Sequence, residues 1–284
     1  MKIKKVGVVG CGIMGSGIAQ VSAQSGYDVV VSEVNSELLN KGLASIDSFL
    51  TKGIERGKVT KEEKNATLAR IKGTTSNKDF ASCDLVIEAI IEDTVPKQKL
   101  FAELDKICPP NTILATNTSC LSVIDIGSPT KRLDKVIGMH FFNPVQIMRL
   151  VELVRTIATS DETVETARKF GESLGKTVAV AKDTPGFFTS RLGIVQGLEA
   201  IRMVEIGVGT AEDIDTAMKL GYNLPMGPLE LGDLVGLDTR LNIANAMYEA
   251  TKDPKFAPPV LLQKMVAAGW CGRKTGKGFY DYNK

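Results

Sequence analysis

Residues 6–9 (VGVV) run straight into Gly10-Cys11-Gly12-Ile13-Met14-Gly15, and this junction constrains the chain more than any other feature. The apolar run reads as a buried strand. A helix follows to about Gln24, with Gly26 as the glycine just past its end. Residues 27–32 read as a second strand, and Glu33 stands at its end, 23 positions after Gly10. Strand, glycine turn, helix and strand make one βαβ unit. In that setting Gly10 permits the tight turn, Gly12 lets the backbone approach a pyrophosphate, and Gly15 lets helix and strand pack closely. The helix N-terminus then offers N–H donors to the phosphates. These contexts turn a bare glycine pattern into a dinucleotide-binding fingerprint. A carboxylate at Glu33 accepts hydrogen bonds from a ribose 2′-hydroxyl and repels a 2′-phosphate, which favours NAD over NADP. The neighbouring Ser32 leaves that preference short of absolute.

The same rhythm continues beyond an interruption. In residues 36–72, Leu39, Leu43, Ile46, Leu50 and Ile54 recur at helical spacing, and Thr60 with Glu63 forms a capping box for a second helix. This stretch reads as a helical hairpin inserted into an α/β domain. Lys52, Arg56, Lys58, Lys61, Lys64, Arg70 and Lys72 gather toward its far end. Strands are then expected at 84–89, 113–116, 136–140, 150–154 and 177–181, with helices at 95–107 and 161–174 between them. Alternation of this kind predicts a Rossmann-like, doubly wound, mostly parallel sheet. After Thr184-Pro185-Gly186 the texture becomes helical, at 191–207, 210–220, 230–251 and 259–268. The reading is therefore a domain of residues 1–184 and an all-helical domain of residues 185–284.

Composition removes several function classes. Lys plus Arg number 35 and Asp plus Glu 33, a net charge of +2 that is no footprint for nucleic acid. A single histidine, His140, excludes metal sites that need two. The five cysteines form no CxxC pair, so reduced thiols and a cytoplasmic setting are expected. Neither a signal peptide nor a membrane span is expected. Gly272, Gly276 and Gly278 resemble a phosphate loop, but only three residues separate the first two and Gly278 follows the lysine, so a tight turn is the better reading.

Two strand ends carry candidate chemistry, because ligands of doubly wound sheets bind there. His140 ends one strand. A hydride transfer from an alcohol needs a base for the hydroxyl proton, and histidine titrates near neutrality. A carboxylate that fixes its tautomer improves such a base. Glu152, alone among apolar neighbours on the next strand, is costly to bury unless paired. A satisfied structural histidine is the competing reading. Asn117-Thr118-Ser119-Cys120 follows another strand, where Ser119 either donates to a substrate oxygen or caps the next helix.

The motifs, taken together, resemble those of the L-3-hydroxyacyl-CoA dehydrogenases, above all the short bacterial, clostridial-type 3-hydroxybutyryl-CoA dehydrogenases. The resemblance spans essentially the whole chain: residues 10–20 (GCGIMGSGIAQ), 86–89 (VIEA), 117–119, 136–144 (VIGMHFFNP), 183–187 (DTPGF), 225–232 (PMGPLELG) and 269–282 (GWCGRKTGKGFYDY). It implies an NAD(H)-dependent interconversion of (S)-3-hydroxybutyryl-CoA and acetoacetyl-CoA, in butyrate- or butanol-type fermentation or short-chain fatty acid metabolism. His140 is similar to the family's general base, Glu152 to its orienting carboxylate, and Ser119 to the residue that holds the substrate's C3 oxygen. Gly10, Gly12, Ile13, Met14, Gly15, Glu33, Glu92, Lys97, Asn117 and Asn143 match cofactor positions. Lys52 and Arg56 match basic positions that meet the phosphates of the acyl-CoA substrate. The resemblance also implies a homodimer or higher oligomer built on the helical domain, with neither nucleic acid nor membrane as partner.

One position departs from the pattern. The family reads Asn before Arg-Leu, beside the catalytic histidine, where this chain reads Thr189-Ser190-Arg191-Leu192. Ser190 offers one hydroxyl in place of an amide. Loss of one transition-state contact costs up to about 100-fold in rate, by analogy with oxyanion donors. Leu224 likewise stands where the family often has His. The alternatives to the main reading are a dehydrogenase of free 3-hydroxyacids or other 3-hydroxyacyl-CoA substrates, and an NAD-binding protein without catalysis.

Overall fold

The computed structural model describes residues 2–283. The chain divides into two compact units, Met1–Phe187 and Phe188–Lys284. In the first, eight strands form one sheet: β1 (Lys5–Val9), β2 (Asp28–Ser32), β3 (Ile71–Thr74), β4 (Leu85–Glu88), β5 (Ile113–Thr116), β6 (Val136–Phe141), β7 (Leu150–Arg155) and β8 (Thr177–Lys182). Their spatial order is β3-β2-β1-β4-β5-β6-β7-β8. The first six run parallel, in the doubly wound order whose direction reverses between β1 and β4. Central strands read as unbroken apolar runs because both sheet faces are covered, each by its own buried apolar cluster.

The helices of this unit are α1 (Ile13–Gln24), α2 (Ser36–Glu55), α3 (Lys61–Ala69), α4 (Thr94–Ile107), α5 (Val123–Gly127) and α6 (Asp161–Ser173). The hairpin is α2 and α3. α2 buries Leu39, Ile46 and Leu50, and the capping box of α3 is present at Thr60 and Glu63. The expected end of the insertion at residue 72 is corrected, since Ile71–Thr74 is strand β3, paired with β2 at the sheet edge. Between β6 and β7 the chain returns through an eight-residue loop, too short for a parallel crossover, so β7 lies antiparallel to β6.

The second unit is helical: α7 (Thr189–Glu205), α8 (Ala211–Gly221), α9 (Pro228–Val235), α10 (Leu237–Thr251) and α11 (Val260–Ala267), around its own apolar core. The single helix expected over 230–251 is two, because Gly236 adopts φ +102° between α9 and α10. The glycine-rich segment near the C-terminus is a turn, with Gly272 and Gly276 at positive φ. It leads into Phe279 and Tyr280, whose N–H groups each donate to the buried Asp233 at 3.0 Å. Among the described residues no helix is long and apolar enough to cross a membrane.

Candidate active site

The glycine turn between β1 and α1 has the geometry its spacing requires. Gly10 sits at φ +92°, and a Cβ there would lie 2.7 Å from Ala89 O. A Cβ on Gly15 would overlap Gly10 O, so α1 can approach β1 only with glycine at that position. A Cβ on Gly12 would meet nothing within 4 Å: the space over the α1 N-terminus is open. Gly12 is also the N-cap and makes no side-chain cap, which leaves the first N–H groups of the helix available. Ile13 and Met14 begin the helix, and Ile13 is exposed. Glu33 closes the turn from the end of β2, accepting from the Cys11 N–H at 3.0 Å and the Val34 N–H at 2.9 Å. It borders a cavity of about 200 Å³ that Val9, Ser32, Val34, Asn77 and Ile90 also line. Open backbone donors, a carboxylate and an adjoining cleft fit a dinucleotide with a free ribose hydroxyl.

The antiparallel joint sets the second group. Register pairs His140 of β6 directly with Glu152 of β7, so both side chains leave the same face of the sheet. His140 Nδ1 lies 2.8 Å from Glu152 Oε2, and both side chains are buried. With Glu152 ionised its carboxylate can only accept, which puts the imidazole proton on Nδ1 and leaves Nε2 without one. Phe142 and Phe187 flank the ring, with centroids at 4.4 and 6.1 Å. Asn117, after β5, accepts the Phe141 N–H at 2.8 Å and so ties its loop to the residue after His140. Ser119 lies two residues on, half-buried, and its N–H donates to Glu92 at 2.8 Å. It is not a helix cap, since Ser122 caps α5. Burial pushes the Cys120 thiol up to about 12, with Glu92 adding to the rise, so it is protonated near neutrality.

The family model of the 3-hydroxyacyl-CoA dehydrogenase NAD-binding domain matches residues 5–184, and that of the family's C-terminal domain matches residues 186–282. The chain belongs to the 3-hydroxyacyl-CoA dehydrogenase family. Its cofactor is NAD(H). A 3-hydroxybutyryl-CoA dehydrogenase of Bradyrhizobium diazoefficiens is 47% identical, over 99% of this chain and 96% of its own length. One of Clostridioides difficile is 47% identical over 99% of this chain and 100% of its own. The crystal structure of (S)-3-hydroxybutyryl-CoA dehydrogenase from Ralstonia eutropha has a TM-score of 0.96 and 43% identity, covering 100% of both chains.

The remaining residues expected to act in a 3-hydroxyacyl-CoA dehydrogenase fall in three places. Lys52 and Arg56 line a cavity of about 480 Å³ together with Lys58, Arg149 and Lys176. No carboxylate lines it among the described residues, so the charged side chains of its lining are all of one sign. Lys176 also donates to Val145 O at 2.6 Å and Met148 O at 2.7 Å, which fixes the loop that carries the exposed Asn143. Lys97, by contrast, is 1% exposed, its ammonium turned onto Glu88 and Glu92. Ser190 stands in the first turn of α7, in the second compact unit. Sequence reasoning passed over Arg149, Lys176, Glu88 and Thr118. The first two come near the hairpin only through folding. Glu88 ends an apolar strand with no spacing signal, although a carboxylate so buried requires a partner.

Proposed function

We propose that the chain interconverts (S)-3-hydroxybutyryl-CoA and acetoacetyl-CoA with NAD(H), with His140 as the general base. The observation that carries this reading is the buried 2.8 Å contact between His140 Nδ1 and Glu152 at the end of β6, on the strand-end side of the sheet where the glycine turn also opens. When bound, the nicotinamide supplies the acceptor for the C3 hydride in oxidation and the donor in reduction. In oxidation His140 Nε2 takes the C3 hydroxyl proton, and Glu152 stabilises the imidazolium that forms. In reduction the imidazolium returns that proton to the C3 oxygen. Ser119 holds this oxygen through its hydroxyl. Gly10, Gly12, Ile13, Met14, Gly15 and Glu33 hold the adenosine and pyrophosphate half of NAD, while Glu92, Lys97, Asn117 and Asn143 border its nicotinamide half. Lys52 and Arg56 bind the phosphates of CoA. The four-carbon acyl chain is supported by relatives that are 3-hydroxybutyryl-CoA dehydrogenases, and a place in butyrate-type fermentation or short-chain fatty acid metabolism by the sequence resemblance alone.

NADH oxidation followed at 1–100 µM acetoacetyl-CoA, in roughly the usual range of KM, tests the reading. Turnover is expected with acetoacetyl-CoA and not with free acetoacetate. Replacement of His140 by Gln is expected to lower kcat by about 10³-fold or more while NADH binding, read by fluorescence titration, stays within about twofold. Equal turnover of the free acid removes the acyl-CoA assignment. Near-normal kcat in His140→Gln removes the base.

A further inference from the structure

The C-terminal ends of β4 and β5 carry a charge cluster whose buried anchor, Glu88, the proposed chemistry leaves without a task. Glu88, the last residue of β4, is fully buried. Its Oε1 accepts from Lys97 Nζ at 2.5 Å and from the Ile90 N–H at 2.7 Å, and its Oε2 accepts from Thr116 Oγ1 at 2.7 Å. Lys97 has a second carboxylate near it, Glu92 Oε2 at 3.4 Å. The other oxygen of Glu92 accepts from Thr118 Oγ1 at 2.5 Å and from the Ser119 N–H at 2.8 Å. Thr116 Oγ1, the donor to Glu88, also accepts from the Thr118 N–H at 3.3 Å. Asn117 holds the Phe141 N–H beside His140. Each residue from Thr116 to Ser119 is therefore tied either to this cluster or to the strand of the histidine.

We infer that Glu88 is a positioning residue for the reaction: it anchors Lys97, Lys97 holds Glu92, and Glu92 fixes the backbone of Ser119. The inference rests on the reading of Ser119 as the group that holds the C3 oxygen. A structural ion pair needs one carboxylate for one ammonium, whereas this cluster has two. Glu92 is the more exposed of them, its side chain 40% accessible, and it is the one that reaches the loop. With Glu88 made neutral, the buried ammonium keeps Glu92 as its nearest carboxylate and draws it away from Ser119 and Thr118, because a buried charge must stay paired. Displacement of a substrate-holding group by about 1 Å costs on the order of 100-fold in rate.

The test is a double-mutant cycle on kcat for the wild type, Glu88→Gln, Ser119→Ala and the double variant, with melting temperatures recorded for each. Glu88→Gln is expected to lower kcat about 10- to 100-fold, with a smaller change in KM for acetoacetyl-CoA. In the Ser119→Ala background the same substitution is expected to cost less than about threefold, because the two groups act as one unit. Additive losses overturn the role of Glu88 and leave Ser119 in place. Near-normal kcat in Ser119→Ala instead overturns the reading of Ser119 and this inference with it. Should Glu88→Gln fail to fold, Thr116→Val enters the same cycle, removing one donor to Glu88 at nearly constant shape. Non-additivity with Ser119→Ala is again the supporting result and additivity the overturning one.

Discussion

Gly12 and Gly15 belong to one turn but answer to different constraints. Open space surrounds a Cβ built on Gly12, while one built on Gly15 runs into the backbone of Gly10. Gly12→Ala is therefore expected to melt like the wild type and to bind NADH at least about 10-fold more weakly, since the added methyl enters the space a pyrophosphate needs. Gly15→Ala is expected to lose about 1–3 kcal/mol of stability, the ordinary cost of overpacking. Thermal denaturation and NADH fluorescence titration separate the two effects. Wild-type NADH affinity in Gly12→Ala means that the open space is not the pyrophosphate site. Such glycines are legible in sequence because their spacing follows from local backbone geometry. His140 and Glu152 were legible as candidates for another reason: a lone histidine at a strand end and a lone carboxylate in an apolar strand each call for an explanation. That they face each other is a matter of register, which depends on the direction of β7. Glu88 obeys the same cost argument, but its partner Lys97 lies on a helix, and no strand alternation points from one to the other.

Elements with a strong period were legible, and elements set by context were not. α2 announces itself by its apolar stripe, and α3 by its capping box. β3 has four residues, no alternation and a single neighbouring strand, so nothing in Ile71–Thr74 separates it from the end of the hairpin. The break at Gly236 was hidden because a lone glycine within a helical pattern is compatible with continuity, and only its positive φ makes it a boundary. The hairpin also shows how an element gains function from its surroundings. The cations of α2 alone would read as a solvated face. Beside Arg149 and Lys176 they line a cavity without an acidic lining residue among those described. Replacing Lys52 and Arg56 together by Glu is expected to raise KM for acetoacetyl-CoA about 10- to 100-fold, with kcat and NADH affinity nearly unchanged, because the lost contacts are shared by ground and transition state. The effect should shrink as ionic strength rises. An unchanged KM at low salt places the CoA phosphates elsewhere.

At the scale of the whole molecule, a net charge of +2 conceals local concentrations of character. Positive charge collects around the hairpin cavity of the first unit, and the second unit exposes a set of large apolar side chains. Ile206, Val208, Leu220 and Tyr222 are all more than half accessible, and Leu234 and Val235 are about half so. A cavity of about 360 Å³ between α7 and α8 is lined by Val195, Met203, Ile214, Ala217 and Met218 among others. Contiguous apolar surface left open to water marks an interaction site. A second copy is the simplest cover, since a two-fold axis lets one apolar patch cover its own equivalent. The chain is therefore expected to sediment at twice its own mass at micromolar concentration. Ala217 is exposed on α8, so Ala217→Arg puts a charge at this cavity without disturbing the core of a single copy. It is expected to shift the sedimenting species toward the monomer and to lower the melting temperature, because an associating protein is stabilised by its partner. A wild-type chain that sediments as a monomer at about 10 µM, well above the Kd of a typical stable dimer, excludes the dimer. An Ala217→Arg dimer of unchanged affinity moves the interface to another face of the helical unit.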